Sequence, residues 1–515
     1  MSDVQNGRGS QHVLSVGAIV GILALAKFAL HIATAGRYGI FRDELYYLAC
    51  ANHLDWGYVD HPPLIALVTW FCTHIFGTSL FGLRFLPAIA GGMLVWVTTQ
   101  IARELGGGRF AQCFAAFAII PVPIYLVLDH WLTMNAFEPL LWMTVLWLAL
   151  RMLFQNEPRY WLAIGALCGI GLENKYSMIL LAAGLVFALL VTPERRILKS
   201  WWFLAGAGIA MLLFLPNLVW LIHHNFPFLE FERNSRMSGS RIERSPIAFI
   251  ADQILIMNPL LAPLWIGGLV WLLTAKSARR YRFLGWTFLA ILFLLLLLKA
   301  KNYYVSPVYP VLFAAGAVAL ERITERQFWW VRNVYIGSVL LAGIVLAPLV
   351  MPLLPIHGFI AYQQALGGFT PIRFENLQPS VLPQHFADEF GWEEMARETG
   401  RAFGKLSNAE QKDTAIFANN YGEAAAIDFF GAKYGLPKAI SKNESYWLWG
   451  PGDYTGKSMI ILGSDGTGDR EHFKTVQTVG RADHPYARPN EYFDIYLCRN
   501  LSTELHRLWP TIKAW

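Results

Sequence analysis

Residues Val13–Leu64 read "VLSVGAIVGILALAKFALHIATAGRYGIFRDELYYLACANHLDWGYVDHPPL". Up to Thr34 the stretch is apolar, broken only by Lys27 and His31. A run of that length spans a hydrocarbon core of about 30 Å. Directly after it come Arg42, Asp43, Glu44, Asp60 and His61, set among Tyr and Trp. The fold follows from the first half of this stretch, and the chemistry from the second.

The apolar pattern repeats. The chain has 515 residues, 55% hydrophobic and 15% charged, with a mean hydropathy of +0.38. A soluble domain carries about 25% charged residues. The apolar excess lies in eleven segments: 13–34, 83–102, 109–128, 132–153, 160–173, 177–192, 202–222, 254–274, 283–300, 303–320 and 331–354. Beyond Pro355 the chain reads as ordinary soluble sequence. The pattern predicts a polytopic α-helical membrane protein of eleven spans over 1–355, with a first external loop at 35–80. A soluble α/β domain is predicted over 356–515. The first span is too long for a signal-peptide core and has no small-residue cleavage site after it, so it is read as uncleaved. The net charge of +6 belongs to loop Lys and Arg and calls for no nucleic acid. Cys50, Cys72, Cys113, Cys168 and Cys498 form no CxxC pair and no metal-ligand spacing.

Lys and Arg in short loops give the orientation. With the N-terminus inside, the inside loops are "ARELGGGR", "RMLFQNEPRY", "TPERRILKS", "AKSARRYR" and "ERITERQFWWVR". Outside fall 35–80, "VLDHWLT", "LENKYS", the loop at 223–246, "KAKNYY" and the tail. All the chemically unusual loops then share one side, as one external active site would require.

Asp43-Glu44 closes a span boundary. A partly desolvated carboxylate there has a raised pKa and can act as a general base; a solvated loop face is the plain alternative. Asp129 and His130 sit at the next outside junction, where Asp129 could equally cap a helix. Glu138 lies inside a span and needs a cavity or a cationic partner. Lys175, Lys299 and Lys301 are outside cations at span ends, with Tyr303 and Tyr304 beside them. They suit a phosphate at the lipid surface, though interfacial lysines also snorkel. Arg42, His61 and Arg84 are supporting candidates. Arg233, Arg236, Arg241 and Arg244 lie in the Ser-rich loop at 223–246, read as a lid or a plain flexible loop. No GxxxxGK[ST], Rossmann fingerprint or HExxH is present.

"FRDELYY", "DHPPL", "FGLRFLPAIAGG", "LTMNAFEPLLW", "GLENKYS" and "KAKNYYVSPVYPVLFAAGA" occur in one order over about residues 10–350. In this the chain resembles the GT-C glycosyltransferases of family 39, which includes protein O-mannosyltransferases and lipid A aminoarabinose transferases. The tail resembles the soluble domain of bacterial members through "ADEFGWEEMA", "FANNYGEAAAIDFFG" and "SYWLWGPGDY". The resemblance implies a polyprenyl-phosphate sugar donor, an active site facing outside, and inversion at the anomeric carbon. It implies that Asp43 takes the acceptor's proton, that Glu44 supports it, and that the second acidic position falls near Asp129. It places Lys175, Lys301, Tyr303 and Tyr304 on the donor phosphate. The chain departs from the pattern at Asn135, where many relatives hold Asp. The implied acceptor is lipid A, another envelope glycan or a protein hydroxyl, at the outer face of a bacterial inner membrane. No cofactor is implied; a divalent cation between Asp43 and Asp129 is the one arrangement left open.

In the tail, "TAIFANN", "SMIILGS" and "FDIYLCRN" read as strands and "GEAAAIDFFGAKYG" as a helix with a Gly stop. No catalytic constellation stands out there, so acceptor recognition or docking is expected. Two rivals remain. A transporter or flippase of a lipid-linked glycan predicts repeats and broken midplane helices. A scaffold has no use for carboxylates and lysines converging on one face.

Overall fold

The computed structural model describes residues 14–239, 242–325, 327–376 and 380–515. Among them, seven helices are long and apolar enough to cross a membrane, or up to nine if two bent pairs each count as one span. The apolar segments are counted lower by helix continuity, because several of them are broken or short in the structure. The 109–128 segment splits into Arg109–Ala118 and Pro123–Leu128, because Pro123 has no N–H for a continuing helix. Pro246–Ile256 and Pro259–Thr274 meet at 101°, and Met178–Leu190 turns by 117° into Pro193–Lys199. Tyr160–Asn174 is helical but only 15 residues long.

The bundle has a centre and a rim. The Asn302–Ile323 span is 89% buried over its most apolar window, whereas Trp329–Leu349 is 11% buried and turns its apolar side chains outward. Small residues set the closest crossings. A Cβ on Gly316 would lie 2.1 Å from the Leu264 carbonyl oxygen, and one on Gly268 would lie 2.2 Å from that of Leu312. Ser15 and Ser79 cap the first two long helices, accepting from Ala18 N–H at 3.2 Å and Gly82 N–H at 3.1 Å.

The tail folds around a five-stranded sheet of β1 (Thr414–Ala418), β2 (Ala439–Ser441), β3 (Ser458–Leu462), β4 (Phe473–Ala482) and β5 (Phe493–Leu501), in the order β2-β1-β3-β5-β4. β1 runs parallel to β2 and β3, while β5 runs antiparallel to β3 and β4. The three strands read from sequence are β1, β3 and β5. β2 is too short to show a pattern, and β4 lies at an edge, with half of its residues exposed. The order makes the carboxyl ends of β1 and β3 a topological switch point. The Tyr421–Phe430 helix starts there and packs on the first-loop helix Arg42–Ala51. Leu45, Tyr46 and Tyr47 share one apolar core with Ala424, Ala425 and Ile427.

Candidate active site

Arg42, Asp43, Asn135, Lys301 and Tyr303 line one cavity of about 90 Å³ together with Glu375, Gln384, His385, Asp388 and Tyr421 from the tail. Phe41 and Trp131 form an aromatic wall, stacked with ring centroids 4.0 Å apart. Five separate stretches of sequence thus meet at one point, and the tail supplies nearly half the polar lining.

Asp43 lies in the first turn of its helix, where the macrodipole favours a carboxylate. Tyr421 Oη donates to Asp43 Oδ1 at 2.8 Å. Burial pushes the Asp43 carboxyl above its ordinary range, while Arg42 and the Tyr421 hydrogen bond pull it partly back. The Arg42 guanidinium lies 4.2 Å from the Tyr421 ring centroid, and its buried Nε has no hydrogen-bond partner. Lys301 Nζ stands 3.6 Å from Glu375 Oε1. Burial raises the Glu375 carboxyl, but Lys301, Arg42 and Arg488 outweigh it and hold the group below its ordinary value.

Lys175 is next to this cavity and already neutralised. Its Nζ donates to Asn135 Oδ1 at 2.8 Å and Glu138 Oε2 at 2.9 Å, and it lies 4.1 Å from the Tyr304 ring centroid. Glu138 also accepts from Ser177. The intramembrane Glu138 therefore has the cationic partner its depth demands.

Several expected site residues are bonded to partners outside the cavity. Glu44 is fully spent: its carboxylate accepts from Phe41 N–H, Leu132 N–H and Arg84, all between 2.9 and 3.1 Å. Arg84 is equally engaged, donating to the carbonyls of Ala35 and Gly39 and reaching Glu389 Oε2 at 3.4 Å. Asp129 is not the second acid of the cavity. It is buried against Lys27 at 2.8 Å, because a lysine inside a span needs a carboxylate. Asp43 and Asp129 are thus held on different partners, and Leu128, Trp131, Thr133 and Asn135 are the residues of that region on the cavity. His61 is buried, with Nδ1 on the Pro62 carbonyl at 2.8 Å and Nε2 3.7 Å from Cys50 Sγ. Lys299 is exposed and outside the cavity lining. In the 223–246 loop, Pro227–Met237 is helical and tied to the tail by Lys513 and Glu230 at 2.7 Å. Arg244 pairs with Asp252, and Arg241 lies outside the described residues.

Comparison with known proteins bears on this architecture. Solved structures of similar shape include ArnT from Cupriavidus metallidurans bound to undecaprenyl phosphate, with a TM-score of 0.61 at 15% identity over 94% of this chain and 98% of that one. The chain has the GT-C glycosyltransferase fold. The oligosaccharyltransferase of Archaeoglobus fulgidus shares it more distantly, with a TM-score of 0.51 at 13% identity over 82% of this chain and 64% of that one. Residues 60–220 match the dolichyl-phosphate-mannose-protein mannosyltransferase family. The lipid A galacturonosyltransferase RgtD of Rhizobium johnstonii is 23% identical over 266 residues, 50% of this chain and 54% of that protein. The chain thus spans about half the length of that curated relative.

Sequence reasoning reached the first-loop residues of the cavity and missed those from the tail. Tyr421 follows Asn420, whose side chain accepts from Glu423 N–H at 3.0 Å in a capping box. "ANNYGE" after an apolar strand marks a helix start at a strand's carboxyl end, the usual place for a ligand-facing residue. Glu375, His385 and Asp388 carry no comparable local signal.

Proposed function

We propose that this chain is an inverting glycosyltransferase that moves a sugar from a polyprenyl-phosphate donor to an envelope acceptor (lipid A, another glycan or a protein hydroxyl). The names of its relatives support a lipid-phosphate donor: undecaprenyl phosphate for ArnT, and dolichol phosphate for an archaeal oligosaccharyltransferase of similar shape. The observation that carries the reading is the pairing in one cavity of a half-buried carboxylate, Asp43, with two cations short of close partners, Arg42 and Lys301.

In a single displacement, the acceptor oxygen attacks the anomeric carbon as the bond to the donor phosphate breaks. Asp43 takes the acceptor's proton, and its raised proton affinity suits a base. The departing phosphate gains charge, which Arg42 and Lys301 neutralise where water is excluded.

The site belongs on the outer face of the inner membrane, with 1–355 as the membrane domain and 356–515 outside. Loop charge supports that orientation. Acceptor identity is read from the product. Wild type and Asp43→Asn are expressed at equal membrane levels in a strain lacking the protein, and envelope glycans are profiled by mass spectrometry. One glycan mass should appear with wild type and fall at least about a hundredfold with the variant. Equal glycan from both proteins would remove Asp43 from the chemistry.

A further inference from the structure

We propose that Tyr421, from the soluble tail, is a positioning residue that orients and holds charged the carboxylate of Asp43 in the first loop. The inference rests on the reading of Asp43 as the base and adds a working part contributed by the other end of the chain.

The geometry is specific. The Tyr421 hydroxyl donates to Oδ1 of Asp43 at 2.8 Å, leaving the other oxygen without a tyrosine on it. The backbone holding the hydroxyl is itself fixed. Tyr421 N–H donates to Asn443 Oδ1 at 3.0 Å, and the Asn420–Glu423 box closes the first turn behind it. Glu423 Oε2 also accepts from Asn419 N–H at 2.9 Å, tying the helix start to the end of β1. The ring face carries the Arg42 guanidinium, and the next residue has no side chain to interfere. A Cβ on Gly422 would lie 2.9 Å from Arg42 Cγ. On the opposite flank, the Asp388 carbonyl accepts from Arg42 N–H at 3.1 Å. The tail therefore grips the first turn of the Arg42–Ala51 helix at two points, and one of those grips ends on the carboxylate. Packing alone would be served equally well by Phe at 421; the hydroxyl is what contacts Asp43.

Asp43 is surrounded by other charges. Arg42 lies on its own helix, Asp60 in the first loop, Glu375 and Asp388 in the tail segment before the sheet, and Glu444 beyond β2. Tyr47 and Tyr303 also face it. The carboxylates destabilise its charged form, and among these neighbours Arg42 and the Tyr421 hydroxyl oppose them. Removing the hydroxyl alone should raise the proton affinity of Asp43, so that the base is charged only at higher pH.

The test needs no identified substrate. Full-length wild type and Tyr421→Phe are placed in nanodiscs and treated across a pH series with a water-soluble carbodiimide and an amine, which label protonated carboxyls. Peptide mass spectrometry reads labelling at Asp43. The midpoint should move up by about one pH unit in Tyr421→Phe, the scale of one charge-assisted hydrogen bond. Glycan transfer in cells should fall at neutral pH and recover as the pH is raised. An unmoved midpoint, with Asp43→Asn still abolishing the glycan, overturns the role of Tyr421 and leaves Asp43 as the base. Unchanged glycan in Asp43→Asn overturns both. Should Tyr421→Phe fail to accumulate, a ring-fluorinated tyrosine placed at 421 keeps the packing and strengthens the donor. The midpoint should then move down, and no movement overturns the proposal.

Discussion

Asp43 and Glu44 are neighbours in the chain, yet the regions around them differ in kind. Around Glu44, the carboxylate and its guanidinium are matched. Arg84 spreads its donors over two carbonyls and two carboxylates, and Glu44 accepts from two backbone amides as well. Around Asp43, capacity is left over. Arg42 Nε has no partner, and Lys301 keeps one carboxylate at 3.6 Å. A satisfied buried cluster fixes a structure; an unsatisfied one at a cavity is available to a ligand. The two clusters share a joint, since Glu389 of the tail reaches Arg84 while Asp388 beside it accepts from Arg42 N–H. One cluster fastens the tail to the first loop, and the other uses the result.

The comparison breaks most visibly at Arg84. Arg84→Met leaves Glu44 and Glu389 buried without their cation, a loss of about 3–5 kcal/mol. The variant should accumulate poorly, and its tail should be cut early in limited proteolysis. Asp43→Asn should accumulate like wild type and resist protease equally while losing activity. If Arg84→Met were as stable as wild type, the matched cluster would not be what fastens the tail.

A second prediction separates the two lysines expected on the donor phosphate. Lys301→Met should lower kcat/KM for an undecaprenyl-phosphate-linked sugar about tenfold, the scale of one charge-assisted contact, with a rise in KM from lost donor binding and a fall in kcat from lost neutralisation of the leaving phosphate. Lys175→Met should instead lower accumulation, because it strips Glu138 of its buried cation. Titration of the donor against both variants decides it. An equal KM effect from both would place Lys175 on the phosphate beside Lys301.

What was legible in the sequence follows the same division. The apolar segments, the acid after the first span and the strands β1, β3 and β5 each carry their signal within a few residues. So does the box that starts the Tyr421–Phe430 helix. Partner choice is not local. Nothing near Asp129 says that Lys27, about a hundred residues earlier, claims it. Nothing near Glu44 says that Arg84 and Leu132 N–H do. Glu375, His385 and Asp388 reach the cavity only because the tail folds back over the first loop. Hydropathy does not register where Pro123 or the Asn258-Pro259 turn interrupts a helix.

The finest test of the comparison lies at the capping box. Asn420→Ala removes the side chain that accepts from Glu423 N–H and should cost about 1 kcal/mol at the start of the Tyr421–Phe430 helix. It leaves the Tyr421 hydroxyl, Arg42 and Asp43 in place. The matched cluster at Arg84 is untouched, so accumulation and protease resistance should hold. The first turn should fray, and the hydroxyl should spend less time on Asp43. Hydrogen exchange over residues 421–424 should rise several-fold, and glycan transfer should fall by less than it does in Tyr421→Phe. Faster exchange with undiminished transfer would mean that contact with the first loop, rather than the cap, holds the turn in register. The tail would then be positioned from the membrane side, and the direction of control between the two regions would be reversed.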